Sequence, residues 1–458
     1  MVKRIKPFLI IFFVVVQLMA FFACKITEPG EDRQKGTKLT REEQDLVTEL
    51  NRLVYSIKPY PLFLPDNMLT FLDRLKNAKI IALGEATHGT SEFFQMKFRI
   101  FQYLVKYHRH IAFGFEADFG ESIYLNNYIT KGEGNLRELM KDKMHFWAWL
   151  TEEVYMLLYW MRSYNEGKNE AEMIHYYGFD CQYTTYQPAL LQDYFSATLP
   201  ELRDLSLPVL NQVENLTRED YESMLPETYE SIKNQLEALA GEFTANKSQL
   251  ILKSSLREYE INKQLLRTFW QAFIVRYHSY KKDSSINWRD QFMAENALWL
   301  AGLFGQDSKI TLWAHNGHIA RELVFGKGSC MGYHLYNELG DLYQAVGFAF
   351  SMGSFQAVGY DQNGNYTSLT SHEITGAPFK RSFNYIFHHV LYDAFVFNLD
   401  NVPAGSEVDR WLSIRRPFLM IGAAFTGNPG HYYRTINLRK HYNWIIYFDS
   451  TKAAIPLE

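Results

Sequence analysis

The sequence predicts an α/β fold: a largely parallel central sheet flanked by helices, with an all-helical insertion. Three observations carry this. Short, wholly apolar runs recur along the chain between glycine or polar residues, as strands buried on both faces require. Stretches of helical period separate most of these runs, which is the pattern of strand–helix alternation around a parallel sheet. One long section, about residues 188–304, keeps helical spacing throughout and holds no convincing strand.

The chain begins with a segment that belongs to no fold. Lys3, Arg4 and Lys6 precede an apolar run from Phe8 to Ala23 broken only by Gln17, and Cys24 follows at once. This is the layout of a secretory signal. The run is short for a transmembrane helix, which needs about 20 apolar residues. A cysteine directly after a small residue resembles a bacterial lipobox, so residues 1–23 read as a lipoprotein-type signal peptide and Cys24 as the lipidated residue, with an ordinary signal peptide or an uncleaved anchor as the alternatives. Residues 24–38 are polar, with Pro29, Gly30 and Gly36, and read as a flexible tether. The expected location is therefore exported and membrane-anchored, on the periplasmic or cell-surface face of a bacterium. Residues 39–458 form the α/β domain.

Within that domain the expected strands are Ile80–Leu83, Ile111–Phe115, Met173–Phe179, Ile310–Ala314, Ala345–Phe350, Ala394–Phe397 and Trp444–Phe448. Glu92–Tyr107 and Glu152–Tyr164 are the clearest helices between them. Tyr229–Phe243 and Leu250–Tyr280 are helical stretches of the insertion, and the aromatic stripe Phe269, Trp270, Phe273 and Tyr277 reads as its packing face.

Composition excludes several classes. Of 458 residues, 47% are hydrophobic and 21% charged, which suits a globular domain and not a disordered or collagenous chain. The 47 basic and 51 acidic side chains give −4, and no stripe of lysine or arginine offers a footprint for a phosphate backbone, so nucleic acid is not a partner. With 3 cysteines and no CxxC, neither a cysteine zinc site nor a thioredoxin-like motif is present.

In an open parallel sheet, ligands bind beyond the carboxyl ends of the strands, where loops converge. Four strand ends carry chemistry here: Gly84-Glu85-Ala86-Thr87-His88-Gly89, Glu116-Ala117-Asp118, Asp180-Cys181-Gln182 and His315-Asn316-Gly317-His318. Glu116, at the end of an apolar strand, is costly to bury unless it is paired. There is no GxSxG elbow, no HExxH and no phosphate-binding glycine loop. The histidines and carboxylates suit two chemistries: general-base hydrolysis without a metal, or a zinc- or manganese-type site.

At these residues the sequence resembles the erythromycin esterase family, which includes proteins labelled as succinoglycan-biosynthesis related. Ile80–Leu104 with its Gly-Glu-Ala-Thr-His-Gly core, Phe113–Asp118, and Trp313–His318 are similar to three ordered family motifs. Gly178–Gln182 and Trp288–Asn296 are weaker likenesses. The resemblance implies a hydrolase acting on a small-molecule ester, in the family's best-known case a macrolide lactone. It implies that His88 activates water and that Glu85, Glu116, His315 and His318 complete the site, with no cofactor and no metal. Asp180 and Gln182 are expected near the substrate. So is Lys97, which stands where the family usually has arginine; lysine keeps the charge but loses the bidentate fork. Two alternatives stand beside the esterase: a ligand-binding surface lipoprotein of the same fold without turnover, and a metal-dependent hydrolase using His88, Glu116 and His315.

Overall fold

The computed structural model describes residues 39–458 apart from 59–60, 284, 325–328 and 362–363. The signal, Cys24 and the tether lie outside the described residues. The described residues form eleven strands: β1 (Val54–Ser56), β2 (Ile80–Leu83), β3 (His110–Asp118), β4 (His175–Asp180), β5 (Lys309–Trp313), β6 (Tyr343–Tyr360), β7 (Tyr366–Ile374), β8 (Ala394–Asn398), β9 (Arg416–Leu419), β10 (Tyr433–Ile436) and β11 (Trp444–Thr451). Nine make one sheet in the order β1-β8-β11-β6-β2-β5-β3-β4, with β7 paired to β6; β9 and β10 pair separately. The run from β11 to β4 is parallel, and β1, β7 and β8 join antiparallel.

Alternate residues of the central strands feed two cores. Ile80, Ala82, Ala112 and Leu312 enter one; Ile81, Leu83, Phe113 and Trp313 enter the other. Period-two alternation with both faces apolar is what the strand sequences demand. Between β4 and β5 the described residues form helices, from Gln187–Thr198 to Trp288–Leu303, and they pack on the first face. In that segment Phe269 and Phe273 are fully buried, while Trp270 and Tyr277 pack at its margin. Helices Ser91–His108 and Glu152–Asn165 cover the second face.

Three differences from the sequence expectation bear on the site. β3 runs on to Asp118 through an irregularity after Phe115, so Glu116 still belongs to the strand. β6 extends to Tyr360, well past the end of β2 at Val346, and leaves the sheet as an arm paired to β7. β4 starts at His175, because residues 170–172 form a tight turn instead. The arm fastens two loops at the carboxyl edge: Gln356 N donates to Gly89 O at 2.9 Å and Val358 N to Ala423 O at 3.0 Å. A side chain on Gly89 would lie 2.3 Å from the Gln356 carbonyl, so only glycine fits there. Among the described residues no helix is long and apolar enough to cross a membrane.

Candidate active site

β2 ends at Leu83, and the turn that follows places Glu85 under His88. Glu85 has no accessible surface and is fully engaged. Its Oε1 meets His88 Nδ1 at 2.6 Å; its Oε2 accepts from Lys97 Nζ at 2.5 Å and from Trp313 Nε1 at 2.6 Å. Burial would raise this carboxyl, but Lys97 and His88 outweigh it and hold it below the ordinary value. Lys97 comes from the second turn of helix Ser91–His108. Its burial, opposed by Glu85, pushes its ammonium down to about 8, and it rests 4.1 Å above the Trp313 ring.

The turn after β5 treats its histidines differently. His315 caps the short helix Asn316–Ile319, and its Nδ1 accepts from Gly317 N at 3.2 Å. An accepting Nδ1 leaves the proton of a neutral ring on Nε2. That Nε2 is buried without a hydrogen-bond partner. Burial, with His88 and His318 nearby, pushes His315 down to about 3, so the ring is neutral. His318 is held at both nitrogens: Nδ1 lies 2.7 Å from Asp290 Oδ1 and Nε2 3.3 Å from Glu116 Oε1. Burial alone would lower it, but these two carboxylates raise it.

Glu116 ties the second turn to the start of helix Trp288–Leu303. Oε2 accepts the backbone N–H of His315 at 2.8 Å, and Oε1 accepts from Arg289 Nη2 at 2.7 Å. Burial works to raise Glu116, yet His318 and Arg289 hold it well below the carboxylate range. Arg289 in turn grips Asp180 through Nε and Nη2, at 3.0 and 2.7 Å. Arg289 and Asp290 stand in the first turn of helix Trp288–Leu303, whose start Asn287 caps by accepting from Asp290 N.

The reactive point lies between two rings. His88 and His315 have centroids 5.2 Å apart. A side-chain carbon placed on Gly422 would sit 3.8 Å from His315 Nε2 and 3.9 Å from His88 Nε2. Both nitrogens therefore border one small space, which a glycine keeps open. The carboxylate at His88 Nδ1 fixes a proton there and leaves Nε2 as an acceptor. One acceptor and one donor converge.

Five sequence-selected residues, Glu85, His88, Glu116, His315 and His318, thus come together. Lys97 and Asp180 do not reach the cleft: both side chains lack accessible surface. They were expected against substrate, and the structure corrects this. Lys97 acts through Glu85, and Asp180 anchors Arg289. Gln182 is half-buried and donates to Asp180 Oδ2 at 2.7 Å. Sequence reasoning gave no role to Arg289, Asp290, Trp313 Nε1 or Gly422. Arg289 and Asp290 lay within a recognised stretch, but nothing in sequence brings a helix start 109 residues beyond Asp180 onto that carboxylate. Among the described residues no group of three or more His, Cys, Asp or Glu is arranged to hold a metal ion. Cys181 and Cys330 are both free and buried.

Elsewhere, a cavity of about 720 Å³ opens at the other ends of β3 and β4, lined by Ile111, His175, Arg257 and Phe304. Burial, with Arg257 beside it, pushes His175 down to about 3, so its ring is neutral at neutral pH.

A sheet with its ionisable groups at the carboxyl edge, and an imidazole–carboxylate pair beside a neutral imidazole donor, defines a hydrolase-type site. The erythromycin esterase family model matches residues 105–451, and the chain belongs to that family. The matched span includes Glu116, Asp180, Arg289, His315 and His318 but begins after His88. Erythromycin esterase type II of Escherichia coli is 25% identical over 336 residues, covering 66% of this chain and 76% of that protein. A putative hydrolase of Bacillus subtilis (strain 168) is 24% identical over 271 residues, 56% of this chain and 59% of its own length. Two solved structures share the fold. A succinoglycan biosynthesis protein has a TM-score of 0.78 at 24% identity, covering 92% of this chain and 100% of that one. An erythromycin esterase mutant in its open conformation has a TM-score of 0.65 at 16% identity, covering 89% and 99%. Family membership points to a hydrolase.

Proposed function

We propose that the protein hydrolyses a carboxylic ester or lactone of a small molecule by general-base activation of water, without a metal. The observation that carries this reading is the convergence of His88 Nε2 and His315 Nε2 on one space with opposite proton states. Water bound there gives its proton to His88, whose charged form the Glu85 carboxylate supports. The oxygen attacks the carbonyl carbon. The developing oxyanion takes a hydrogen bond from His315 Nε2–H, a donor already in place and shielded from water. The tetrahedral carbon then expels the alkoxide, which recovers the proton from His88, and a carboxylic acid and an alcohol leave. No covalent intermediate is needed. Glu116 supports the reaction indirectly, by fixing the His315 backbone while His318 and Arg289 balance its charge. We also propose, from the N-terminal signal in the sequence, that the enzyme acts outside the cytoplasm, held to a membrane by lipid on Cys24.

The test is mass spectrometry of the purified protein against macrolides and a general ester panel, before and after exhaustive chelation. A gain of one water on some member, within about twofold after chelation, is the expected result, because His88 and His315 already supply the base and the oxyanion donor. Loss of activity on chelation, restored by zinc or manganese, would instead make His88 a ligand, which must stay deprotonated and cannot cycle its proton. Binding of ligands with no mass change on any would leave the protein a binder. Cys24→Ser should abolish metabolic labelling with a fatty acid; unchanged labelling removes the anchor.

A further inference from the structure

At the same carboxyl edge, on the helix that follows β3, a second imidazole–carboxyl pair stands. Glu121 Oε2 meets His145 Nδ1 at 2.5 Å and accepts the His145 backbone N–H at 3.0 Å. In side-chain exposure the pair repeats Glu85–His88: 0% for the carboxylate and 15% for the imidazole in both. Tyr183 lies flat on the His145 ring, with centroids 4.0 Å apart and planes at 9°. Tyr186 follows at 5.1 Å, and Phe146 meets Tyr183 edge-on. Asp118 secures the loop, accepting from Tyr183 N and from the Gln187 side chain. One oxygen, Glu121 Oε1, is buried without a hydrogen-bond partner.

Position rules this pair out of the ester chemistry. The sheet order places β5 and β3 between β2 and β4, and Asp118 faces Asp180 across the last two strands. Glu121 follows β3, two strands from β2, so at about 4.8 Å per strand its chain leaves the sheet on the order of 10 Å from the β2 turn, too far to exchange a proton at the same bond. On the neighbouring strand end, Asp180 is gripped by Arg289, which also binds Glu116 of the catalytic group.

The chemistry of the pair selects a ligand class. His145 Nε2 has Thr185 Oγ1 at 3.3 Å as its polar neighbour, and a hydroxyl group suits either tautomer because it both donates and accepts. Of the nearby cations, Arg289 is engaged by Glu116 and Asp180, and Lys143 by Asp142 and the faces of Tyr124 and Tyr186, while Arg276 donates to Thr184 Oγ1 at 3.1 Å and lies over the Tyr221 ring. The half-buried rings of Tyr183, Tyr186 and Phe146 offer apolar surface beside the polar pair.

We propose that Glu121, His145, Tyr183 and Tyr186 form a subsite that binds a polyhydroxylated ring of the sugar class, carried by the substrate away from its ester. The substrate part of this statement rests on the hydrolase reading; the binding part does not. Binding energy gained there would hold the ester in place at His88.

The test titrates the purified protein with methyl glucoside, methyl galactoside and methyl mannoside, with cyclohexanol as apolar control, by saturation-transfer NMR. At least one glycoside should bind, cyclohexanol should not, and His145→Gln should weaken binding at least tenfold. Should that variant fail to fold, Tyr186→Leu, at a half-buried position, carries the same comparison. In the kinetic arm, the ratio of kcat/KM for sugar-bearing over ethyl esters should fall at least tenfold in His145→Gln. No glycoside binding, equal binding in the variants, or equal response to cyclohexanol overturns the subsite. Glycoside binding lost in the variants while no ester is cleaved keeps the subsite and removes the hydrolase reading. Ester cleavage without glycoside binding does the reverse.

Discussion

Two turns at one edge of the sheet each carry a pair of ionisable residues at the same spacing, Glu85 with His88 and His315 with His318. In the first, the carboxylate lies in the turn itself and holds its own histidine at 2.6 Å, with Lys97 as buried counter-cation. In the second, the carboxylates come from other elements, Glu116 on β3 and Asp290 on a helix start. The result is three imidazoles in three settings: His88 with an accepting Nε2, His315 neutral with a donating Nε2, and His318 between two carboxylates that favour its charged form. Identical side chains are set apart by their partners, and that separation assigns base, donor and support.

The largest expected effect breaks the first turn. His88→Gln should lower kcat by about 10²–10⁴, the usual worth of a general base, with the melting temperature near wild type. Activity within about tenfold of wild type would move the base elsewhere. Breaking the second turn comes next. His315→Phe keeps a ring but removes the donor, and should cost about 10²–10³ in kcat, as loss of an oxyanion donor does. A change in KM alone would make His315 a binding residue only.

A smaller effect sharpens the role of the counter-cation. Burial pushes Lys97 down to about 8, so rising pH strips the charge that balances Glu85, and activity should fall past that point. Arginine stays charged throughout, so Lys97→Arg should move this alkaline limb upward by about one pH unit or more. A limb left in place would free Lys97 from the account.

The smallest effect concerns stability. Burial raises Asp118 and Glu121 to about 8 and Glu92 to about 7, so the folded state holds these protons longer than the unfolded chain does. Their stabilising contribution is full below the unfolded values and is lost as pH rises through the folded ones. The buried histidines His110, His175 and His315 act in the opposite sense, but only below 6.5. Thermal stability should therefore fall between about pH 6.5 and 8, and Glu121→Gln should flatten that slope. A slope identical in the variant would contradict the assignment.

The buried strands were legible because both of their faces are apolar, which leaves no other reading of Ile80–Leu83 or Ile310–Ala314. β7 was not legible, since Tyr366–Ile374 is mostly exposed and polar and gains its strand from pairing with the β6 arm. The site residues Glu85, His88, Glu116, His315 and His318 stood out as chemistry immediately after apolar runs. Their partners did not: Lys97 looked like a substrate contact because its burial under Glu85 arises only from packing, and Gly422 became visible only through the two nitrogens that face it. Sequence order shows which residues end strands; it does not show which helix start or loop closes over them.

The proton positions themselves are the most direct test. Nitrogen-15 NMR of histidine-labelled protein at pH 7, assigned through His88→Gln, His315→Phe and His318→Gln, reads each ring separately. The account predicts His88 protonated on Nδ1 with a bare Nε2, His315 protonated on Nε2 with a bare Nδ1, and His318 protonated on both. A bare Nε2 on His315, or a doubly protonated His88, would contradict it.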